Sequence, residues 1–220
     1  MTELDIRRDI IAHCLMMNGN GLNQGVSGNI SARYEDRMLI TPTSIPYDRM
    51  LPEEIVSMSL GADDGAWEGP RPPSTEWRFH RDIMRARPEV GAIVHAHPTY
   101  CTSLAITRRG IPACHYMIAV FGGDSVRCAD YATYGTEQLS QNVLAAMEGR
   151  SAVLLANHGA IATGHDLGNA MWRAVELETI ARQYYNALLI GGPVLLSEAE
   201  MQETFDKGLA ANYGGMRKPH

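Results

Sequence analysis

The sequence has few of the features that mark secreted or membrane-spanning proteins. It contains 4 cysteines in 220 residues, and because none of them form a C-x-x-C pair, no disulfide framework is indicated. No apolar run approaches the roughly 18 residues of a membrane-spanning helix. No basic segment followed by an apolar one suggests a secretion signal. We therefore expect a protein of the reducing cytoplasm that does not enter membranes.

Clusters of basic residues are also missing. The formal net charge is −6, and the 19 lysine and arginine residues are dispersed along the chain. Nucleic acids and anionic membrane surfaces both bind to a concentrated basic face. The sequence therefore predicts neither of these as a partner.

The chain has no internal repeat, no low-complexity segment and no G-x-G-x-x-G motif between a strand and a helix, so a Rossmann dinucleotide site is not expected. A hydrophobic content of 45% in 220 residues suffices for one sizeable core and is short for two. Predicted strands and helices interleave without a regular βαβ period. We therefore expect an α/β (α+β) fold arranged as a three-layer α/β/α sandwich.

Apolar periodicity and capping residues give the order of the elements. Strands are predicted over Ile30–Tyr34, Met38–Thr41, residues 56–60, Ala92–Ala96 and Ala152–Ala156. Helices are predicted from Leu4 to about Gly19, from Ser74 as N-cap to about Ala86, over Thr99–Thr107, Thr136–Met147 and Leu167–Leu189, and from near Ser197. The stretch GADDGAWEGPRPP at 61–73 is predicted to be a loop.

The segment AIVHAHPTY at 92–100 places two histidines at the end of an apolar strand. Alternate side chains of a strand point to the same face, so His95 and His97 should lie side by side, as in a bidentate metal site. Two locally hydrogen-bonded histidines would account equally well for this pair alone. A second apolar strand, AVLLA, ends in Asn157-His158-Gly159. Three histidines at two strand ends are typical of a zinc site that keeps one position open.

A candidate carboxylate, Glu76, lies in PPSTEWRFH, in the first turn of a predicted helix. The helix dipole alone favours a carboxylate at such a position. The functional interpretation is a carboxylate beside a metal, which acts as a ligand in the empty site and carries a proton when substrate displaces it.

Hydroxyl and glycine residues near this helix predict an anion-binding site. Helix N-termini offer free N–H groups to phosphate, although an N-cap role would account for Ser74 by itself. Loops rich in small polar residues can add further donors. The predicted anion-binding residues are Ser27, Gly28, Asn29, Thr43, Ser44, Ser74 and Thr75.

Taken together, these segments resemble the class II aldolase/adducin family. The resemblance runs from residue 5 to Tyr213 and rests on NQGVSGN, MLITPTSIPY, PPSTEWRFH, HAHPTY, IPACHYMIAVFGG, YATYGT and ANHGAI. It implies one domain over residues 1–220 with a central, mostly antiparallel sheet. It also implies a four-fold symmetric homotetramer with active sites at subunit interfaces.

The resemblance further implies a zinc-dependent aldolase. A ketose 1-phosphate, either L-fuculose 1-phosphate or a related deoxypentulose 1-phosphate, would be cleaved to dihydroxyacetone phosphate and an aldehyde through a metal-stabilised enediolate. Zn²⁺, or Mn²⁺ or Co²⁺ in its place, would have four ligands: Glu76, His95, His97 and His158. No lysine stands out for a Schiff-base route, since the first one is Lys207.

Two tyrosines are given roles by the same resemblance. Tyr116, supplied by a neighbouring subunit, would exchange the proton on the aldehyde-side oxygen, and Tyr213 would position the aldehyde portion. Packing of the rings with a hydrogen-bonded hydroxyl would also account for either residue.

The chain departs from the family pattern at Val26, Ser44 and Thr75, where we expect threonine, glycine and serine. Phosphate binding is still expected, because the other donors are present. Several alternatives share the metal ligands: a salvage aldolase for 5-deoxy- or methylthio-pentulose 1-phosphates, a metal-dependent decarboxylase, a dehydratase and a sugar-phosphate 4-epimerase. Glutamate at position 76 favours an aldolase over the epimerase. A non-catalytic scaffold is disfavoured because all four ligands are present.

Overall fold

The fold is built around one eight-stranded sheet, seen in a computed structural model that describes residues 1–62, 65–211 and 213–215. The strands lie in the order β4-β3-β2-β1-β5-β8-β7-β6. Neighbouring strands are antiparallel except for β6 and β7, which are parallel. The strands are β1 Asn29–Tyr34, β2 Arg37–Ile40, β3 Val56–Ser59, β4 Trp67–Glu68, β5 Ala92–Ala96, β6 Arg127–Ala129, β7 Ala152–Leu155 and β8 Gly159–Gly164.

Helices cover both faces of this sheet, which confirms the predicted three-layer α/β/α sandwich. Helices α1, α3, α5 and α6 pack on one face, and α2 and α4 pack on the other. The helices are α1 Glu3–Gly19, α2 Trp77–Ala86, α3 Thr99–Ile106, α4 Glu137–Ala146, α5 Leu167–Leu189 and α6 Glu198–Ala210. Over the part of the chain that the structure describes, none of these helices combines the length and apolar composition needed to span a bilayer.

Strand β5 lies at the centre of the sheet and shows how side chains are divided between the two layers. Ala92 and Val94 pack with α1 and α5, whereas Ile93 packs with α2 and α4. His95 follows the same alternation as Ile93, and its ring meets Phe79 of α2 edge-on at a centroid distance of 5.3 Å. The histidine strand therefore points toward the α2 layer, as a period of two requires.

All predicted helices and strands are present, and three strands were missed. Strand β8, GAIATG, is rich in glycine and alanine. Both residues have low strand propensity, so the local sequence did not predict a strand here. Strand β6 has three residues and pairs in parallel with β7. Strand β4, two residues at the sheet edge, lies inside the predicted loop at 61–73, so the prediction of a loop throughout this stretch was wrong. Within that stretch, Asp63 and Asp64 lie outside the described residues.

The predicted start of α2 at Ser74 was also wrong, because the helix begins at Trp77 with Glu76 as its N-cap residue. The cause is a pairing between Pro42 and Pro73, which continues as a hydrogen bond from the Ser74 N–H to the Thr41 carbonyl at 2.9 Å. This pairing holds the backbone extended at residue 74. Helical geometry can therefore begin only after this extended segment, and Glu76 stands at the N-terminal end of α2.

A glycine at the start of β5 is required by close packing between backbones. A Cβ atom added to Gly91 would lie 2.0 Å from the His165 carbonyl oxygen. We predict that Gly91→Ala destabilises the protein by about 2–3 kcal/mol, because the backbone must move to accept the methyl group. Gly19→Ala is the matched control, since Gly19 ends a helix and has open space around it. Urea unfolding would measure both, and an unchanged midpoint for Gly91→Ala would contradict the packing argument.

Candidate active site

Three histidines form a compact triangle at one end of the sheet. His95 lies near the end of β5, His97 follows it, and His158 lies in the turn between β7 and β8. Their ring centroids are 4.9, 4.9 and 5.0 Å apart. One nitrogen from each ring lies within 4.8 Å of the others, so the group could hold a metal ion. The structure thus brings together the three histidines that the two strand ends predicted.

The turn that carries His158 depends on two residues with special backbone requirements. Asn157 has a left-handed φ of 55°, a conformation that asparagine tolerates better than most residues. A Cβ atom added to Gly159 would lie 2.5 Å from both the Ala96 carbonyl oxygen and His97 Cδ2. The motif Asn-His-Gly therefore lets β8 approach β5 closely enough for the histidines to meet.

The carboxylate of Glu76 joins the triangle from the α2 layer. Its Oε2 atom lies 3.0 Å from His95 Nε2, and its Oε1 atom lies 3.1 Å from His158 Nε2. His97 Nε2 lies 3.2 Å from His95 Nε2. Ligand atoms about 2.0–2.1 Å from a tetrahedral ion are about 3.3 Å apart. The spacing of these four side chains therefore fits a tetrahedral N₃O metal site.

Hydrogen bonding also favours a cation between these groups. His95 Nδ1 lies 3.0 Å from the Ala160 carbonyl oxygen, which can only accept, so Nδ1 carries the proton and Nε2 presents a lone pair. That lone pair faces His97 and a carboxylate oxygen. Glu76 Oε1 is buried and makes no hydrogen bond to any described residue, despite its 3.1 Å contact with His158. Lone pairs that face one another in this way are the normal surroundings of a bound metal ion.

The ionisation of these groups suits the same interpretation. Burial would raise the pKa of Glu76, but positive charge on His95 and His158 would outweigh it and hold that pKa well below its usual range, and a metal ion between them would act in the same direction. Burial, together with His95 and His158, lowers the pKa of His97 to about 4. At neutral pH the group therefore contains a carboxylate and a neutral imidazole, the forms that bind metals.

Asn29 holds the carboxylate from the sheet side. Its Nδ2 atom donates to Glu76 Oε2 at 2.9 Å, and its Oδ1 atom lies 2.5 Å from His80 Nε2. The other ring nitrogen of His80 lies 2.7 Å from Ser31 Oγ. Our sequence reasoning missed both His80 and Ser31. The available signal was the period-two pair Asn29 and Ser31, which placed two polar groups on the buried face of β1.

Three loops that carry the predicted anion-binding residues converge beside this group. Residues 27 and 28 lead directly into β1, residues 43 and 44 follow the Pro42–Pro73 pairing, and residues 74 and 75 lie on its other side. The Tyr47 hydroxyl donates to the Gly28 carbonyl at 2.6 Å and ties the first loop to the second. Ser27, Ser44 and Thr75 are exposed. Each of the three loops therefore carries an exposed hydroxyl residue, and the third leads directly into Glu76.

Backbone geometry constrains two positions in these loops, and one of them, Ser44, departs from the family pattern. A Cβ atom at Gly28 would lie 2.8 Å from the His95 carbonyl oxygen, so this position accepts only glycine. Ser44 has a left-handed φ of 60°, which glycine adopts without strain and serine adopts at a cost of about 1 kcal/mol. The expected glycine at position 44 thus reflects a real backbone requirement that this chain meets with serine.

The predicted catalytic tyrosines lie outside the histidine cluster of the same chain. Tyr213 lines a cavity with His165 and contacts the Trp172 ring edge-on. His165 follows Gly164, which pairs with Ala92 at the start of β5. That is the opposite end of the strand from the histidines, about 13 Å away at 3.3–3.4 Å per residue.

Tyr116 belongs to a segment that packs on the opposite face of the sheet from α2. It begins a 3₁₀ helix over residues 116–121 whose apolar side chains pack with α3, α5 and α6, on the face away from Glu76. The Tyr116 side chain is 54% exposed. Neither tyrosine therefore completes the site within one chain.

Comparison with known proteins gives the family. Residues 8–185 match the model of the Class II Aldolase and Adducin N-terminal domain, and the chain belongs to this family. Its relatives include the 5-methylthioribulose-1-phosphate/5-deoxyribulose-1-phosphate aldolase of Rhodospirillum rubrum, with 46% identity over 94% of this chain and 92% of the relative. The L-fuculose phosphate aldolase of Escherichia coli K12 is also 46% identical, over 94% of this chain and 95% of the relative.

Solved structures agree with the family. An L-fuculose 1-phosphate aldolase matches with a TM-score of 0.88 and 41% identity, over 92% of this chain and 95% of that protein. The fold class is thereby confirmed. The chain is an enzyme, a lyase of the aldolase type. Its family is metal-dependent and acts on phosphorylated sugars.

Proposed function

We propose that this protein is a zinc-dependent aldolase that cleaves a ketose 1-phosphate to dihydroxyacetone phosphate and an aldehyde. The observation that carries the proposal is the group formed by Glu76 and the three histidines, set beside three loops rich in hydroxyl groups. Metal-assisted cleavage of a sugar phosphate needs both parts, one for the reacting oxygens and one for the phosphate.

The metal ligands in this proposal are His95, His97, His158 and Glu76. An N₃O set at tetrahedral spacing suits Zn²⁺, and Mn²⁺ or Co²⁺ could replace it. When bound, the metal supplies Lewis-acid polarisation of the substrate oxygens, which stabilises the negative charge that cleavage creates.

The protein itself supplies the proton transfers. Breaking the C3–C4 bond leaves an electron pair on the dihydroxyacetone portion, which must receive a proton, while the C4 hydroxyl must lose one to become the aldehyde. Glu76 is assigned to the first transfer because its carboxylate lies at the histidine cluster, where, once substrate displaces it from the histidines, it can take up a proton from solvent and pass it to that carbon. Tyr116 is assigned to the C4 oxygen because its phenol can accept the C4 proton while passing its own proton to solvent.

The phosphate would be bound by Ser27, Gly28, Asn29, Thr43, Ser44, Ser74 and Thr75. Exposed hydroxyls from three loops support this role, whereas both amide atoms of Asn29 are engaged by Glu76 and His80. Asn29 would therefore contribute mainly its backbone. Val26 is 40% exposed next to these loops and adds apolar surface without a donor. Binding of phosphate at this site thus relies on the serines and threonines.

The substrate is assigned to one of two classes of ketose 1-phosphate. One relative acts by name on L-fuculose phosphate and another on 5-methylthioribulose and 5-deoxyribulose 1-phosphates, at the same 46% identity. All three sugars lack a hydroxyl on their last carbon, so the aldehyde portion would be partly apolar. The salvage reaction on deoxypentulose 1-phosphates is therefore the second candidate, and the similarity to the Rhodospirillum rubrum aldolase supports it.

We further propose a cyclic homotetramer with active sites at its subunit interfaces. The positions of Tyr116 and Tyr213, away from the histidines of their own chain, support this arrangement because a neighbour could supply them. Exposed apolar side chains on the same face as Tyr116 offer surface for such contacts, and they are Tyr185, Leu189, Ile190, Val194 and Leu195. We also propose one domain over residues 1–220 and, because all four cysteines are unpaired, a cytoplasmic location.

The proposed function is tested by release of dihydroxyacetone phosphate. The zinc-loaded protein would be given L-fuculose 1-phosphate and 5-deoxyribulose 1-phosphate in parallel, with a chelator-treated sample as control. We expect chelator-sensitive release from at least one substrate, and the ratio of the two rates identifies the preferred aldehyde portion. Absence of release from both, with metal still bound, would overturn the aldolase assignment and favour a decarboxylase or dehydratase.

The separate roles of ligand and proton carrier predict two different phenotypes. His95→Ala should abolish both metal retention and cleavage, since a tetrahedral site loses one of its three nitrogens. Glu76→Gln should retain some metal and lose turnover by about 100-fold or more. Metal content after dialysis and kcat are the measurements. His13→Gln is the control, because this histidine lies on α1 and its ring has a hydrogen bond described only to Asp9. Normal turnover by Glu76→Gln would show that its role is structural.

Sharing of the site between subunits predicts that two inactive variants complement each other. Tyr116→Phe and Glu76→Gln subunits, unfolded and reassembled together, should regain roughly a quarter of wild-type activity in a cyclic assembly. This fraction follows because a quarter of the interfaces would pair an intact Glu76 with an intact Tyr116. Each variant reassembled alone is the control. A mixture no more active than the controls would place both residues in the same chain's site.

A further inference from the structure

A continuous chain of hydrogen bonds runs from the sheet to the candidate metal ligand. It links Ser31, His80, Asn29 and Glu76 through contacts of 2.7, 2.5 and 2.9 Å. Ser31 and His80 are fully buried, and Asn29 and Glu76 are 3% and 5% exposed. Because the interior offers no competing water, each of these groups depends on its neighbour in the chain.

The direction of every hydrogen bond in this chain is determined by the carboxylate at its end. Glu76 is ionised and can only accept, so the Asn29 amide must turn its N–H group toward it. The Asn29 carbonyl then faces His80 Nε2, which must therefore carry the proton. His80 Nδ1 is left as the acceptor for the Ser31 hydroxyl. The neutral imidazole satisfies both contacts, and burial lowers the pKa of His80 to about 3, which keeps it neutral.

The opposite arrangement of the amide is disfavoured at both of its ends. A reversed Asn29 would place its carbonyl against the Glu76 carboxylate, and His80 could accept the reversed N–H group only by moving its own proton from Nε2 to Nδ1, toward Ser31. The contact between the carbonyl and the carboxylate would be repulsive and buried. His80 is itself held in place by stacking on Phe79, with ring centroids 4.7 Å apart.

We propose that His80 is a positioning residue for Glu76 and acts through Asn29. By fixing the amide, His80 secures a donor on Oε2 and so orients the carboxylate, with Oε1 directed at His158 and at the metal position. The inference rests on the proposed function insofar as Glu76 is a metal ligand. It adds to that function a residue that touches neither metal nor substrate.

Loss of this restraint should affect metal binding and chemistry more than substrate binding. Without a donor at His80 Nε2, Asn29 Oδ1 loses its buried partner, so the amide is held less firmly and the carboxylate loses its fixed orientation. Removing such a partner of a metal ligand typically weakens metal affinity or activity by about 10–100-fold. The loops with the exposed hydroxyls do not contact His80 through any hydrogen bond described for them, so KM should change less than kcat.

The experiment compares His80→Phe with His80→Gln. Phenylalanine keeps the size and the stacking and removes both hydrogen bonds, whereas glutamine offers an N–H donor and a carbonyl acceptor. Chelator-stripped protein would be titrated with Co²⁺, and the visible absorption of the bound ion would report affinity and geometry. We expect His80→Phe to bind Co²⁺ about 10–100-fold more weakly with a lower kcat, and His80→Gln to recover most of both.

The control is His13→Gln, since His13 is a buried histidine on α1 whose ring has a hydrogen bond described only to Asp9. It should leave Co²⁺ affinity unchanged. Wild-type Co²⁺ affinity in His80→Phe would overturn the proposal, and so would a loss in His80→Phe that His80→Gln fails to recover. If His80→Phe does not fold, Ser31→Ala takes its place. A severalfold loss of Co²⁺ affinity would then support the proposal, and no loss would overturn it.

The Co²⁺ titration is carried out without substrate, so the two proposals can fail separately. The expected order of Co²⁺ affinities without release of dihydroxyacetone phosphate would overturn the aldolase assignment and support the role of His80. Aldolase activity with equal Co²⁺ affinity in all variants would support the aldolase assignment and overturn the role of His80.

Discussion

The burial of one carboxylate among three imidazoles is the constraint on which the rest of the structure depends. An isolated buried carboxylate costs several kcal/mol in lost hydration. Glu76, at the start of α2, is 5% exposed, and its compensation comes from three other segments: β1, β5 and the β7–β8 turn. The group can therefore exist only if these segments meet within hydrogen-bond distance. Sheet order and helix placement are what bring them together.

Small residues at the contacts allow this meeting. Gly28 and Gly159 each approach a carbonyl oxygen of the β5 region so closely that a side chain would collide with it. Both lie next to a functional side chain, Asn29 in the first case and His158 in the second. Where the sheet must bring polar groups to one point, the chain thus uses glycine to bring the backbones close.

The sequence contained most of the fold and the ligands, for identifiable reasons. Strands such as Ala92–Ala96 and helices such as Leu167–Leu189 have strong local signals, and the three histidines are rare residues at strand ends. The Gly/Ala-rich strand β8 and the extended backbone at Ser74 are imposed by pairing with distant segments, which local propensity does not report. The link between His80 and Asn29 joins residues 51 positions apart, so only the folded chain reveals it.

The two edge strands of the sheet limit how copies of this chain can associate. The edge strands β4 and β6 have two and three residues, so each presents only a short row of unpaired N–H and C=O groups. A second chain has little to pair with there, which limits both runaway β-aggregation and any oligomer built by extending the sheet. Ordered association is left to helical faces and loops, whose side chains fix one geometry, whereas a bare strand edge would accept many registers.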